Sequence, residues 1–169
     1  VNNRPETLNI KDQLNCFLEH RKVVIRRRTR FLLKRARNRA HILEGLIMAV
    51  SDIDEIIEII KKSPDAPAAK LNLMQKPLKL IEQATLRNLL PEAFVREREQ
   101  GAHFLTGPQA DAILTMQLQR LTGLEVEKLA REYAELCEKI AGFEAILSDH
   151  NLLLDIIRED IHEIRDKYN

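Results

Sequence analysis

The stretch LLKRARNRAHILEGLIMAVSDIDEIIEII, residues 32–60, decides the fold, and it contains no proline and a single glycine. Apolar residues recur in it at alternating steps of four and three, the spacing of the buried seam between two coiled-coil helices. Arg39 is the one polar residue on this seam. The spacing predicts a long helix that needs a partner. Its apolar seam positions include Leu32, Ala36, Leu43, Leu46, Val50, Ile53 and Ile57.

The same spacing returns near the other end of the sequence. Two antiparallel helices joined at a tip account for both seams, and a register that pairs Val50 with Leu136 aligns them. The capping residues of 148–151 predict an interruption before a last helix. The seam positions of the returning segment are Leu129, Tyr133, Leu136, Ile140 and Phe143.

Composition supports helices throughout the chain. Of 169 residues, 31% are charged and only 4% are aromatic, with 5 glycines and 6 prolines. Few helix breakers with many charged and aliphatic residues favour long helices over sandwiches or barrels. We therefore expect an all-α fold: an elongated antiparallel two-helix coiled coil with a small helical globular tip. Residues 1–62 are predicted to ascend, 63–123 to form the tip and 124–169 to return.

The tip contains the most specific motif. Thr106-Gly107-Pro108-Gln109 has the form of a capping box and predicts a helix over about residues 107–121. The charged stretch 92–100 is predicted to be exposed. One face of the predicted helix either packs into the tip core or associates with a second copy, and spacing alone leaves both open. That face comprises Ala110, Ile113, Leu114, Gln117, Leu118 and Leu121.

Charge is balanced overall but unevenly placed. The formal net charge is +1, yet ten basic residues and no acid lie between His20 and Leu43. Residues 125–169 hold twelve acids and six bases. Either the acidic return neutralises the basic helix, or part of the basic helix binds nucleic-acid phosphates. The candidate DNA-facing residues are Arg26, Arg27, Arg28, Arg30, Lys34 and Arg35.

Five segments resemble a known family: RAHILEGL, DIDEIIEII, QADAIL with LQRLTGLE, EKLAREY and DIIREDIHEI. Their order and spacing resemble the coiled-coil arm in the A subunit of DNA gyrase, a type IIA topoisomerase whose near relative is topoisomerase IV. The resemblance covers almost the whole chain. Residues 76–103 match weakly and look like a variable insertion in the tip.

The resemblance implies a mechanical role. In this family, paired arms project from the DNA-cleaving core, and their tips meet as an exit gate, the C-gate, for the transported duplex. It implies a homodimer through the 107–121 helix, whose apolar face becomes the interface candidate. It further implies the topoisomerase B subunit, together with double-stranded DNA, as partners of the parent protein, a cytoplasmic, nucleoid-associated location and no membrane. ATP and Mg²⁺ are expected to belong to other parts of the holoenzyme, with no cofactor or metal in this segment.

Catalysis by this segment alone is not expected. The family cleaves DNA with a tyrosine preceded by arginine, whereas Tyr133 and Tyr168 follow a glutamate and a lysine. A generic coiled-coil tether with a DNA-binding basic helix is the alternative. An all-α enzyme is a second alternative, which the lack of convergent polar residues disfavours.

Overall fold

A computed structural model describes residues 9–79, 84–116 and 123–168 of the chain. These ranges contain eight helices and one isolated antiparallel bridge, which joins Leu78 to His103. The prediction of an all-α fold is therefore confirmed. The helices are α1 (Ile10–Ser51), α2 (Ile53–Lys62), α3 (Ala66–Gln75), α4 (Ala84–Leu89), α5 (Glu92–Glu99), α6 (Gly107–Thr115), α7 (Gly123–Ser148) and α8 (His150–Tyr168).

The predicted ascending helix is two helices, because the backbone breaks at Asp52. Its φ of −130° and ψ of 50° lie outside the helical region. The Ser51 hydroxyl donates to the Ile47 carbonyl at 3.0 Å, the kind of local bond by which serine competes with helix continuation. The seam residues Ile53 and Ile57 consequently belong to α2, where Ile56 between them is fully buried and they are half-buried.

The buried stripe of α1 differs from the predicted seam at every second position. At those positions the residue that completes the stripe is the next one in the sequence. Ala36, Leu43 and Val50 are buried as predicted, but Arg39 is exposed. Both sets of positions satisfy the four-three spacing, and only one keeps the arginine head in solvent. Leu32 is half-buried, while Leu46 is buried in addition to the stripe. The positions that complete the stripe are Leu33, Ala40 and Ile47.

Contacts divide the chain into two compact units. The central unit is residues 36–139, in which α3 packs against α2 and α6. The terminal unit joins the chain up to residue 35 with residues from 140 onward. Ile25 of α1 and Leu153 and Ile157 of α8 form its buried core.

The predicted register between the two seams is wrong. In the central unit the Tyr133 hydroxyl reaches Glu44, whereas pairing Val50 with Leu136 predicted residue 53 opposite Tyr133. In the terminal unit Asp160 binds Arg21, where the same register predicted residue 26. The prediction carried one constant register along both segments and through the interruption that it expected at 148–151, whereas the helices break at Asp52 as well as between α7 and α8.

The returning seam is only partly buried. Tyr133 is buried, whereas the other predicted positions, Leu129, Leu136, Ile140 and Phe143, are half-buried. Coiled-coil packing along this seam therefore remains a prediction. Within the described ranges, no helix is long and apolar enough to cross a membrane.

Candidate tip interface and its supporting network

The structure divides the six predicted interface residues. Ala110 and Ile113 are 0% exposed, so they belong to the core of the central unit and offer no surface to a second copy. Leu114 is half-buried and keeps part of its side chain on the surface. The remaining three, Gln117, Leu118 and Leu121, lie outside the described residues.

The helix that carries these residues is shorter than predicted. It ends at Thr115, and Met116 adopts an extended conformation with φ −73° and ψ 135°. At the other end the capping interaction is confirmed, since Gln109 Oε1 accepts a hydrogen bond from the Thr106 backbone N–H at 3.0 Å. α6 is thus a helix of 9 residues whose N-terminus is held by a capping hydrogen bond.

The buried Gln109 also fastens α6 to α1. Its Nε2 donates to the His41 backbone carbonyl at 2.7 Å, and the His41 Nε2 lies 2.7 Å from the Thr106 hydroxyl. Gly45, one turn after His41, makes the close approach possible. A Cβ at this position would lie 2.7 Å from both Cβ and Cγ of Gln109. The sequence placed Gln109 in a capping box but gave no sign of its contact with α1.

Glu44 joins three helices. Its Oε1 accepts a hydrogen bond from the Tyr133 hydroxyl of α7 at 2.9 Å. Its Oε2 accepts one from Arg98 Nη2 of α5 at 3.2 Å. The guanidinium of Arg98 also lies 5.2 Å from the Phe94 ring centre, and the Phe94 and Tyr133 rings are 4.9 Å apart. A charge-assisted bond and packed rings therefore fix the position of α5.

This network corrects the prediction that residues 92–100 are exposed. Phe94 and Val95 are buried, and only the charged side of α5 faces solvent. The many charges of the segment concealed two apolar residues one turn before Arg98. The spacing of Phe94 and Arg98, four residues apart on one helix face, was the available signal.

The pKa values of Tyr133 and Cys137 indicate a structural role for these groups rather than a reactive one. Burial, followed by the nearby Glu44 carboxylate, raises the pKa of the Tyr133 hydroxyl well above its usual value. Burial is also the main cause that raises the pKa of the Cys137 thiol. Both groups are therefore protonated at neutral pH and poor nucleophiles. Within the described ranges, no group of three or more His, Cys, Asp or Glu side chains could hold a metal ion.

Two large apolar side chains of the central unit are exposed beside the anchored helix. Leu71 of α3 is 58% exposed, and Phe104, just before α6, is 59% exposed. The Lys70 ammonium binds Asp111 of α6 at 3.0 Å, and its Cε lies 3.6 Å from the Cβ position of Gly107. Sequence periodicity missed both exposed residues, since Phe104 lies in no helix and Leu71 belongs to a short one.

The candidate DNA-facing residues all lie on α1 in the terminal unit. Arg26 is half-buried, and after the larger effect of Lys22 it helps to lower the pKa of the Glu19 carboxyl. The other five candidates, Arg27, Arg28, Arg30, Lys34 and Arg35, are exposed.

The similarity of the chain to known proteins extends over almost its whole length. Residues 1–162 match the family described as the A subunit of DNA gyrase/topoisomerase IV. The chain is 43% identical to the DNA gyrase A subunit of Halalkalibacterium halodurans over 169 residues, which are 100% of this chain and 17% of the relative. It is 42% identical to that of Staphylococcus aureus strain NCTC 8325 over 168 residues, 99% of this chain and 16% of the relative. It is 41% identical to that of Aeromonas salmonicida over 178 residues, 99% of this chain and 19% of the relative. The chain thus spans less than a fifth of the length of these relatives.

Proposed function

Because the chain belongs to the family of DNA gyrase and topoisomerase IV A subunits, we propose that it is the gate and dimerisation module of a type IIA topoisomerase. Two copies meet through their tips and form the exit gate, or C-gate. The gate holds the dimer together while the DNA-cleaving region is open, and then separates to release the transported duplex. The parent protein performs ATP-dependent supercoiling with the gyrase B subunit in the cytoplasm. ATP and Mg²⁺ act in its other parts, and this segment does not catalyse a reaction.

One observation supports the tip contact: α6 is held by contacts to α1 and α3, and Leu114 still keeps part of its side chain on the surface. Ala110 and Ile113 are buried, and Gln109 is hydrogen-bonded to α1. Leu114, one residue after Ile113, is still partly on the surface. A helix that is held in place presents a partly exposed apolar side chain in a defined position, which favours a contact between identical copies. The proposed interface is therefore Leu114 with Gln117, Leu118 and Leu121.

The alternative function is a tether whose basic helix binds DNA without tip association. The uneven charge favours it, because ten basic residues and no acid lie between His20 and Leu43. A tether stays monomeric and binds duplex DNA. A gate forms a dimer that persists in salt, because apolar contacts are not screened.

Light scattering tests the proposal. The molar mass of the chain is measured over a concentration series at low and high salt, with Leu114→Asp and Leu118→Asp beside the unaltered chain. Val23→Asp is the matched control, since Val23 is an exposed apolar residue in the terminal unit. We expect a salt-resistant dimer that both tip variants lose and the control retains.

Circular dichroism of each variant shows whether its helices remain. A dimer that persists in the folded tip variants would refute the tip contact. Loss of helicity in Leu114→Asp would assign Leu114 to the core and remove it from the interface. A monomer at every concentration would count against the gate and support the tether instead.

A further inference from the structure

Eight of the ten basic residues between His20 and Leu43 fall into two groups in the structure. Those at the edges of the packed face of α1 have acidic partners: Arg21 binds Asp160 at 2.6 Å, and Arg39 binds Glu132 at 2.7 Å. Lys22 likewise binds Glu19 at 2.8 Å. The returning helices therefore neutralise only a part of the positive charge.

A second group lies on the outward side of α1. Ile25 and Leu33 are buried in the terminal unit and mark the inward side. At 100° per residue, Arg27 and Lys34 project away from that side, and Arg30 lies beside it, about 60° from Leu33. These three are exposed and, among the described residues, have no ion-pair partner.

Two more arginines flank this row. Arg28 and Arg35 are exposed and separated by two turns of the helix. The guanidinium of Arg35 lies over the Phe31 ring at 5.7 Å from its centre. Phe31 is 59% exposed, but a cation occupies one face of its ring, so that face is closed to base stacking. We call the surface formed by Arg27, Arg28, Arg30, Lys34 and Arg35 the outer basic face.

We infer that the outer basic face binds the phosphate backbone of double-stranded nucleic acid. Arg27 to Lys34 extends about 10 Å at 1.5 Å per residue. Duplex DNA presents about one negative charge per 1.7 Å of axis, so several phosphates lie within reach of one helix face. Five cations with no acid among them stabilise this contact mainly by releasing counterions from the duplex. The contact fixes position and reads no sequence.

The inference goes beyond the gate, because it needs no association of tips. The outer basic face is on α1 in the terminal unit, whereas α6 belongs to the central unit. The monomeric Leu114→Asp variant is therefore expected to bind duplex with the same intrinsic affinity as the unaltered chain. Failure of the tip contact and failure of the phosphate contact thus give different results.

Fluorescence anisotropy with a labelled 20-base-pair duplex tests the inference on the 169-residue chain between 50 and 200 mM salt. For about four phosphate contacts, the logarithm of the affinity is expected to fall with the logarithm of salt concentration with a slope of about −4. Arg27→Gln with Arg30→Gln and Lys34→Gln should reduce that slope to about −1 and weaken binding at least about tenfold at low salt.

Two controls separate local contact from total charge. Lys61→Gln with Lys128→Gln and Lys139→Gln removes the same charge from exposed lysines elsewhere, and it should leave binding within about twofold. Arg27→Lys with Arg30→Lys keeps the charge and should retain the slope. Equal losses in the two triple variants would overturn the inference, as would unchanged binding in the first. Tighter binding of a single strand of equal length, or binding of an acidic protein but not of duplex, would overturn the duplex assignment.

Discussion

Replacing Gly45 by alanine tests how closely α6 is seated against α1. The new Cβ would lie 2.7 Å from Gln109 Cβ and Cγ and 3.0 Å from its Cδ. Cβ contacts under 3.0 Å are essentially never found in proteins, so α6 or Gln109 must move. Overpacking of this kind costs about 1–3 kcal/mol. If the movement also breaks the hydrogen bond to the His41 carbonyl, a further cost of about 1 kcal/mol follows.

An opposing effect comes from the helix itself. Alanine favours a helix interior over glycine by about 1 kcal/mol. The net expectation is a loss of about 1–3 kcal/mol in the free energy of unfolding. For a chain of this size, that lowers the melting temperature by about 3 °C per kcal/mol.

Gly142 provides a matched control in α7. It is exposed, and nothing lies within 4 Å of its Cβ position. Gly142→Ala should therefore stabilise the chain by about 0.5–1 kcal/mol, through helix propensity alone. Thermal unfolding followed by circular dichroism measures both variants. Gly45→Ala melting at or above the unaltered chain, with Gly142→Ala behaving as expected, would refute the close packing of α6.

Two further predictions concern the buried network of the central unit. Tyr133→Phe removes the hydroxyl that donates to Glu44 but keeps the ring, so we expect a loss of about 1–2 kcal/mol in urea unfolding at pH 7. Folding raises the pKa of Tyr133 above its unfolded value of about 10. The stabilisation that the hydroxyl gives is therefore present below pH 10 and is lost as the pH rises above it. The difference in unfolding free energy between the two chains should accordingly shrink above pH 10. A difference that grows there would contradict the assignment. Alkylation at pH 8, mapped by mass spectrometry, should modify the exposed Cys16 before Cys137, because burial raises the pKa of Cys137; equal rates would show that Cys137 is accessible.

The sequence predicted element types better than their packing. Spacing, few breakers and capping residues were sufficient to predict an all-α chain and the N-cap of α6 at Thr106. They could not choose between Arg39 and Ala40 for the buried stripe, because both fit a four-three pattern. The pairing of Arg39 with Glu132 decides that choice, and it depends on a residue 93 positions away.

The hydrogen bonds of Glu44 could not be predicted from the sequence either, because they join residues that are far apart in it. Glu44, Arg98 and Tyr133 belong to three different helices, and no neighbouring residue in the sequence indicates that they are in contact. The register error compounds this, since a pairing carried through Asp52 placed Tyr133 opposite residue 53 instead of Glu44. Local signals thus specify helices, while long-range hydrogen bonds specify how they pack.

The placement of the two proposed contacts allows them to be separated by salt. The tip contact is apolar and belongs to α6, and the phosphate contact is ionic and belongs to the outer basic face of α1. Salt screens ionic contacts and leaves apolar association in place. Raising the salt concentration should therefore release duplex while the dimer remains. Leu114→Asp should abolish the dimer while duplex binding remains. Since the residues that form the two contacts lie in different compact units, their substitutions should act additively on duplex binding and on association. A chain in which salt removed both contacts together would instead have a tip contact made by charge, and Lys70 with Asp111 on α6 would be the first pair to replace.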